Sequence, residues 1–273
     1  YTDRPNDRKI MTIFPYSHLY PTVFGILLPL YMGWSVIISD NGRMDRIFKM
    51  IKQTRPEYIL MVPLLLERFL NRLEMRLKKK TISELGFDLN DFIFVAGVKC
   101  PERLIEKANL LGLKVLEGYG VSEMSPFISV NTKTRHRIGS VGIPLSNVQV
   151  RIDTVHGDRE GEVWAKGPNL MTGYLNASVI KKKLKKYGAL KVMPDGWIQT
   201  GDTGWIDENG FLYITGRSRN IIVNQGGANI YPDEIESQLV QHPLIREIRI
   251  VMASDQTSGE YPCAEIYMDR ESC

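Results

Sequence analysis

Over its first 125 residues the chain alternates short apolar runs with longer stretches in which apolar residues recur every three or four positions. Lys9–Phe14 reads as a strand, and His18–Tyr31 as a buried helix with Pro29 near its end. Trp34–Ser39, rich in β-branched residues, reads as a second strand. Asp40-Asn41-Gly42 then turns the chain into a helix over Arg43–Thr54, with Ile47, Met50 and Ile51 at helical spacing. Glu57–Val62 is a third apolar strand. Pro63 suits the first turn of the helix that follows, where its missing N–H has no helical partner. That helix carries Leu66, Phe69, Leu70 and Leu73 on one stripe and ends in Lys78-Lys79-Lys80, cations favoured at the negative end of the helix dipole. Phe92–Val95 reads as a strand, Pro101–Leu111 as a helix and Lys114–Leu116 as a strand. The alternation predicts an α/β architecture: a mostly parallel sheet with flanking helices.

After about residue 125 the pattern changes. Short strands follow one another closely at Val148–Ile152, Gly161–Lys166, Trp197–Thr200, Gly204–Asp207 and Phe211–Thr215. Glu208-Asn209-Gly210 is a hairpin signal, because Asn-Gly accepts positive φ. This stretch predicts a small antiparallel subdomain, a sheet or β-barrel-like. Beyond Gly216, Pro232–Gln241 reads as a short helix, and Ile245–Met252 and Ala264–Met268 as strands. A helix and two strands make a thin core, so this piece is expected to be part of a small α+β C-terminal domain. The expected division is 1–125, 126–216 and 217–273. There is no internal repeat and no low-complexity segment.

Composition narrows the classes. Of 273 residues, 43% are hydrophobic and 24% charged, which excludes disorder, collagen and a coiled coil. The formal net charge of +4 is too weak a field for a nucleic-acid binder driven by charge alone. Cys100, Cys263 and Cys273 are odd in number and have no paired spacing. That argues against a disulfide scaffold or a Cys-rich zinc site and points to a reducing, cytoplasmic compartment. The longest apolar stretch, near Phe24–Trp34, is well short of the roughly 18 residues that span a bilayer. Tyr1–Lys9 is polar and charged, unlike a secretory leader. The basic run Lys181–Lys186, with Lys191, reads as a solvated helix face or as an attractor for phosphate groups or an anionic membrane surface.

Several segments carry candidate chemistry. Tyr119 lies between Gly118 and Gly120 just past a strand, where a flat ring can stack on a purine while the glycines permit close backbone approach. Read alone, it is equally a core tyrosine in a tight turn. Ser122-Glu123 supplies a hydroxyl and a carboxylate beyond a parallel strand, the place where ligands bind in open α/β sheets. The carboxylate suits Mg²⁺, which takes hard oxygen ligands; the pair also suits a helix N-terminus. Asp202, after Gly201, can accept two hydrogen bonds from a vicinal diol or serve as a turn residue. The fixed fork of Arg217 suits phosphate or a surface ion pair. His18 also reads as a helix-start residue, and Tyr16, Val121 and Met124 as core.

Four segments in order then set a resemblance: 117–123 (Glu-Gly-Tyr-Gly-Val-Ser-Glu), 161–168 (Gly-Glu-Val-Trp-Ala-Lys-Gly-Pro), 195–202 (Asp-Gly-Trp-Ile-Gln-Thr-Gly-Asp) and 214–220 (Ile-Thr-Gly-Arg-Ser-Arg-Asn). With this order and spacing the chain resembles the adenylate-forming (AMP-binding) superfamily, which contains acyl-CoA synthetases, non-ribosomal peptide adenylation domains and beetle luciferase. Glu117–Pro126, followed by Gly139-Ser140-Val141-Gly142-Ile143-Pro144, looks most like fatty acyl-CoA synthetases. The resemblance covers nearly the whole chain. It implies an acid–thiol ligase: a carboxylic acid, here a fatty acid, reacts with ATP to give acyl-AMP and pyrophosphate, and CoA then displaces AMP.

The resemblance also implies roles. Ser122, Glu123 and His18 are the expected catalytic residues, with Ser122 on phosphate, Glu123 on Mg²⁺ and His18 beside the carboxylate and the α-phosphate. Gly97, Val98, Glu117, Gly118, Tyr119, Gly120, Asp202, Ile214 and Arg217 are expected around ATP or AMP, with Asp202 on ribose and Arg217 on ribose and phosphate. Ala96 stands where the family has the first glycine of its adenine-edge loop. Tyr16, in Phe14-Pro15-Tyr16-Ser17-His18, is expected with Val121 and Met124 along the acyl tunnel. Arg219 matches the hinge residue, and Gly227 the loop that reaches the site for the CoA step. The Ser/Thr/Gly-rich phosphate loop ending in Lys and the C-terminal Gly-Lys segment are not found in the 273 residues; Thr257-Ser258-Gly259 is a superficial echo. The chain therefore reads as an internal fragment of a longer enzyme, inactive alone, with a non-catalytic adenosine-nucleotide module as the alternative.

Overall fold

The structure, a computed structural model, describes residues 8–13, 16–39, 43–88, 91–154, 159–174, 191–218, 222–223, 229–230, 232–240, 242, 244–255 and 259–268. The chain separates into two compact units. One comprises Tyr1–Gln149, Gly167–Ala177 and Gly210–Leu212; the other comprises Val150–Lys166, Ser178–Asn209 and Tyr213–Cys273.

The first unit is built on a seven-stranded sheet. Its strands are β1 (Lys9–Thr12), β2 (Ser35–Ile38), β3 (Tyr58–Met61), β4 (Phe92–Val95), β5 (Lys114–Tyr119), β6 (Ser129–Val130) and β7 (Ile143–Pro144), in the spatial order β2-β1-β3-β4-β5-β6-β7. The first five run parallel, and β6 and β7 are antiparallel additions at one edge. The central strands are nearly continuous apolar runs because both faces are covered.

On one face lies the segment α1 (Leu19–Thr22), a π turn (Val23–Leu27) and α2 (Leu28–Tyr31). Pro29 has no N–H for the carbonyl four residues back, and the ladder here widens, ending with the Trp34 N–H donating to the Pro29 carbonyl at 2.8 Å. Gly25 faces the sheet: a Cβ there would sit 3.2 Å from Thr12 Cβ and Leu60 Cδ1. The helix expected to be buried is buried on one face only, that of Pro21, Gly25 and Pro29, while Leu27, Leu30 and Tyr31 are exposed. Beneath it, Tyr20, Phe24, Phe94 and Phe127 form an aromatic cluster, with Phe24 and Phe94 stacked at 4.7 Å.

The opposite face is covered by α3 (Met44–Thr54), α4 (Pro63–Leu77) and α5 (Glu102–Leu110). Leu66, Phe69, Leu70 and Leu73 of α4 are wholly buried, as their spacing predicted, and they meet Ile47, Phe48 and Ile51 of α3 and Leu104, Ile105 and Ala108 of α5 in one core. Fully burying a side chain of this size contributes about 1.5–3 kcal/mol. The Asp40-Asn41-Gly42 turn lies outside the described residues.

The second sheet has β8 (Gln149–Asp153), β9 (Gly161–Lys166), β10 (Lys191–Val192), β11 (Ile198–Ile206) and β12 (Leu212–Arg217), in the order β10-β11-β9-β8 with β12 also on β11; all but Gln149 and Leu212 belong to the second unit. Of the sheet or barrel that the sequence allows, the described residues form the antiparallel sheet, without closure. The two strands read at Trp197–Thr200 and Gly204–Asp207 are one strand interrupted by a bulge: Gln199 pairs with Trp164 and Thr203 with Glu162, so four steps on β11 face two on β9. β13 (Ile222–Val223) pairs with β14 (Asn229–Ile230), and α6 (Pro232–Leu239) is followed by a long antiparallel hairpin of β15 (Ile245–Asp255) and β16 (Gly259–Met268). β16 begins five residues earlier than Ala264, since Pro262 is accommodated opposite Met252 in a two-stranded ribbon.

Candidate functional site

In an open parallel sheet the loops leave the carboxyl ends of the strands, and a crevice opens where the strand order reverses direction. Here β1 has β2 on one side and β3 on the other, so the switch point lies between β1 and β3. The loop after β1 carries Tyr16 and His18, the loop after β4 carries Gly97 and Val98, and the loop after β5 carries Gly120 to Met124. The parallel register Val95↔Glu117 sets the last two side by side. The first unit thus gathers at one sheet edge most of the residues singled out from the sequence.

Each has a local cause. His18 is the N-cap of α1, exposed, with an extended backbone. Thr22 Oγ1 donates to the carbonyls of Tyr16 at 2.7 Å and His18 at 2.9 Å, clasping the turn. Tyr16 is half-buried, and burial pushes its phenol above the usual tyrosine range. Gly97 has φ +95°, a conformation that favours glycine, and places Val98 outward at 71% exposure. Tyr119 is half-buried at the end of β5.

The flanking glycines are closely packed against the protein. A Cβ on Gly118 would lie 2.6 Å from the Phe127 ring, and one on Gly120 would lie 1.9 Å from the Pro126 carbonyl oxygen. Both positions have no room for a side chain. Glu117 is buried at 6% exposure and its carboxyl accepts a hydrogen bond from the Cys100 N–H. Burial pushes this carboxyl up to about 8; the Cys100 N–H and Lys99 oppose the rise and Glu102 adds to it.

Ser122, Glu123 and Met124 form a single 3₁₀ turn closed by Ser125 at φ +48°, an uncommon conformation for a non-glycine residue. Ser122 is exposed, Glu123 and Val121 are half-buried, and Met124 is wholly buried. Sequence reasoning missed two neighbours of this turn. Asn169 Nδ2 donates to the carbonyls of Met124 at 2.6 Å and Phe127 at 3.0 Å, and the Tyr174 hydroxyl donates to Glu123 Oε1. Both lie beyond the Gly161–Pro168 motif, in a stretch that reads as loop.

The second unit holds the other set. Asp202 sits in the β11 bulge after Gly201 (φ +75°) and is buried at 8% exposure. Its carboxylate lies 3.6 Å from Nε of Arg217, whose side chain is 72% exposed. Thr200 Oγ1 accepts the Asp202 N–H at 3.2 Å and donates to the Val163 carbonyl at 2.7 Å. Ser218 Oγ donates to the Gly201 carbonyl at 3.0 Å and to Glu162 at 3.1 Å. Ile214, on β12, is buried. A carboxylate held at a bulge beside a guanidinium can accept from a diol while the guanidinium reaches an anion. Phe14, Arg219, Gly227 and the Lys181–Lys186 run lie outside the described residues.

The donor set was tested for a divalent cation. Among the described residues there is no group of three or more His, Cys, Asp or Glu that could hold a metal by protein ligands alone. Glu123 by itself fits Mg²⁺, which is held by one or two carboxylates together with waters and substrate phosphates.

The AMP-binding enzyme family model matches residues 1–175. The 2-succinylbenzoate–CoA ligase of Bacillus pumilus (strain SAFR-032) is 28% identical over 281 residues, covering 98% of this chain and 52% of its own. The long-chain-fatty-acid–CoA ligase of Yersinia pestis is 28% identical over 265 residues, covering 94% of this chain and 44% of its own. The structure of o-succinylbenzoate coenzyme A synthetase from Bacillus subtilis, in complex with ATP and magnesium ion, superposes with a TM-score of 0.77 at 25% identity, over 95% of this chain and 51% of that one. The chain spans about half the length of these relatives.

Proposed function

Because the chain belongs to the AMP-binding enzyme family, we propose that it carries the nucleotide- and acid-binding part of an ATP-dependent acid–CoA ligase. The carboxylate of the acid attacks the α-phosphorus of ATP, the bond to pyrophosphate breaks, and acyl-AMP forms. The CoA thiol then attacks the acyl carbon, AMP leaves, and a thioester results.

In this reading the Tyr119 ring stacks on the purine, and Gly97, Val98 and the backbone of Glu117–Gly120 line its edge. Asp202 accepts from the ribose hydroxyls, Arg217 reaches ribose and phosphate, and Ile214 packs nearby. Ser122 donates to phosphate. Glu123 holds the Mg²⁺, which when bound offsets phosphate charge. His18 stands beside the carboxylate and the α-phosphate, with Tyr16, Val121 and Met124 on the acid side. Arg219 is the hinge between a large domain and a small C-terminal one, and Gly227 lies on the CoA path.

The observation that carries the reading is the β4–β5 register, which sets Gly97–Val98 beside Tyr119–Glu123 at the carboxyl edge of one sheet. The identity of the acid is a finer matter. The relatives include both a 2-succinylbenzoate–CoA ligase and a long-chain-fatty-acid–CoA ligase, so the fatty acid suggested by the sequence is one of two candidate classes.

The test is calorimetric titration of the chain with two non-hydrolysable acyl-adenylate analogues, one fatty and one succinylbenzoyl, with AMP and an Asp202→Ala variant as controls. Binding that weakens at least ten-fold in the variant supports the site, and the tighter analogue identifies the acid class. Equal affinity in parent and variant, or no binding of AMP or of either analogue, refutes it.

A further inference from the structure

The Ser122–Met124 turn is one 3₁₀ turn long, too short to fix a carboxylate through its own hydrogen bonds. A distant piece of chain holds it. Residues 167–174 return to the first unit after β9, which belongs to the second. The Met171 N–H donates to the Glu123 carbonyl at 2.8 Å, and Asn169 ties down the carbonyls of Met124 and Phe127. With the backbone so pinned, the half-buried Tyr174 hydroxyl donates to Glu123 Oε1. A carboxylate has about four lone-pair sites, so one phenol bond fixes the plane of the group and leaves capacity for a cation. A hydroxyl–carboxylate bond is also among the stronger neutral–ionic pairs.

We propose that Tyr174 is the positioning residue for Glu123: its hydroxyl sets the carboxylate in the orientation that receives the divalent cation of a metal–nucleotide complex. This assignment rests on the nucleotide site proposed above. Tyr174 touches neither nucleotide nor metal; it acts through Glu123, with Asn169 and Met171 supplying the backbone frame.

The experiment measures ATP binding to the full chain by calorimetry as MgCl₂ is raised, and AMP binding in EDTA, for the parent, Tyr174→Phe, Glu123→Gln and the double variant. Tyr174→Phe is expected to raise the Mg²⁺ concentration at half-effect about ten-fold, equivalent to about 1.4 kcal/mol, while AMP affinity in EDTA stays within two-fold. In the Glu123→Gln background the same change is expected to add nothing, because the group it positions is gone. An unchanged Mg²⁺ midpoint in Tyr174→Phe overturns the assignment. So does an equal loss of AMP and Mg–ATP affinity, which marks a merely structural role, or an equal effect in both backgrounds. If the parent binds neither nucleotide, the reading of the site itself fails, and this assignment with it.

Discussion

Replacing Glu117 by glutamine isolates one buried charge. The carboxyl lies under the Ala96–Cys100 segment, accepts the Cys100 N–H and titrates near 8 in place of its ordinary value of 4.5. Lys99, Glu102 and, beside Cys100, Arg103 are the charged groups around it. The folded form keeps its proton where the unfolded chain has lost it. Stability from this group is therefore full below about pH 4.5 and falls as pH rises through about 8. By linkage the loss is of order 3–5 kcal/mol once Glu117 is ionised. Glutamine keeps an acceptor for the Cys100 N–H and never ionises. Urea unfolding at pH 5, 7 and 9 should show Glu117→Gln close to the parent at pH 5 and more stable by about 3 kcal/mol or more at pH 9. Asp91, which burial lifts to about 6, titrates in both proteins and cancels in the difference. A stability difference that is the same at pH 5 and pH 9 would refute the argument.

Two further outcomes test the fold and the reaction. Gly120→Ala places a methyl group 1.9 Å from the Pro126 carbonyl oxygen and 2.8 Å from Phe127 Cα; both are backbone, so destabilisation above about 3 kcal/mol is expected by chemical unfolding, and a variant with parental stability would show that the loop relaxes freely. The 273-residue chain is expected to bind nucleotide without catalysing acid-dependent ATP–pyrophosphate exchange, because its sequence holds no glycine-rich phosphate loop ending in Lys to stabilise the transferring charge; measurable exchange would show that other cations serve.

What the sequence revealed follows interaction range. The parallel sheet was legible because β1, β3 and β4 are short apolar runs separated by amphipathic helices, and the α4 stripe needs only its own period. The π turn was hidden, since Pro29 announces a broken ladder without saying how the helix repairs it. The bulge at Gly201–Asp202 looked like a gap between two strands; only pairing with β9 shows the strand continuing through it. Pro262 similarly masked the start of β16. Among the site residues, the glycine-flanked Tyr119 and the Ser122–Glu123 pair are local motifs and could be singled out. Tyr174 could not, because its partner is 51 residues away and nothing in Met171-Thr172-Gly173-Tyr174 marks a bond to a carboxylate. The tight packing of the glycines was not legible: their neighbours Phe127 and Pro126 follow in sequence but meet them only after the chain reverses.

The chain passes back and forth between its two units: residues 167–177 and 210–212 rejoin the first after the second has begun. Neither unit is a continuous stretch of gene. During synthesis the first cannot acquire its last contacts, including the Leu212 N–H to the Gly142 carbonyl at 2.8 Å, until Leu212 itself has emerged. A swap between related chains at a single junction within residues 125–166 would therefore pair the Glu123 turn of one parent with the 167–174 strap of another. Recombinants that preserve both from the same parent should form the larger share of the folded survivors.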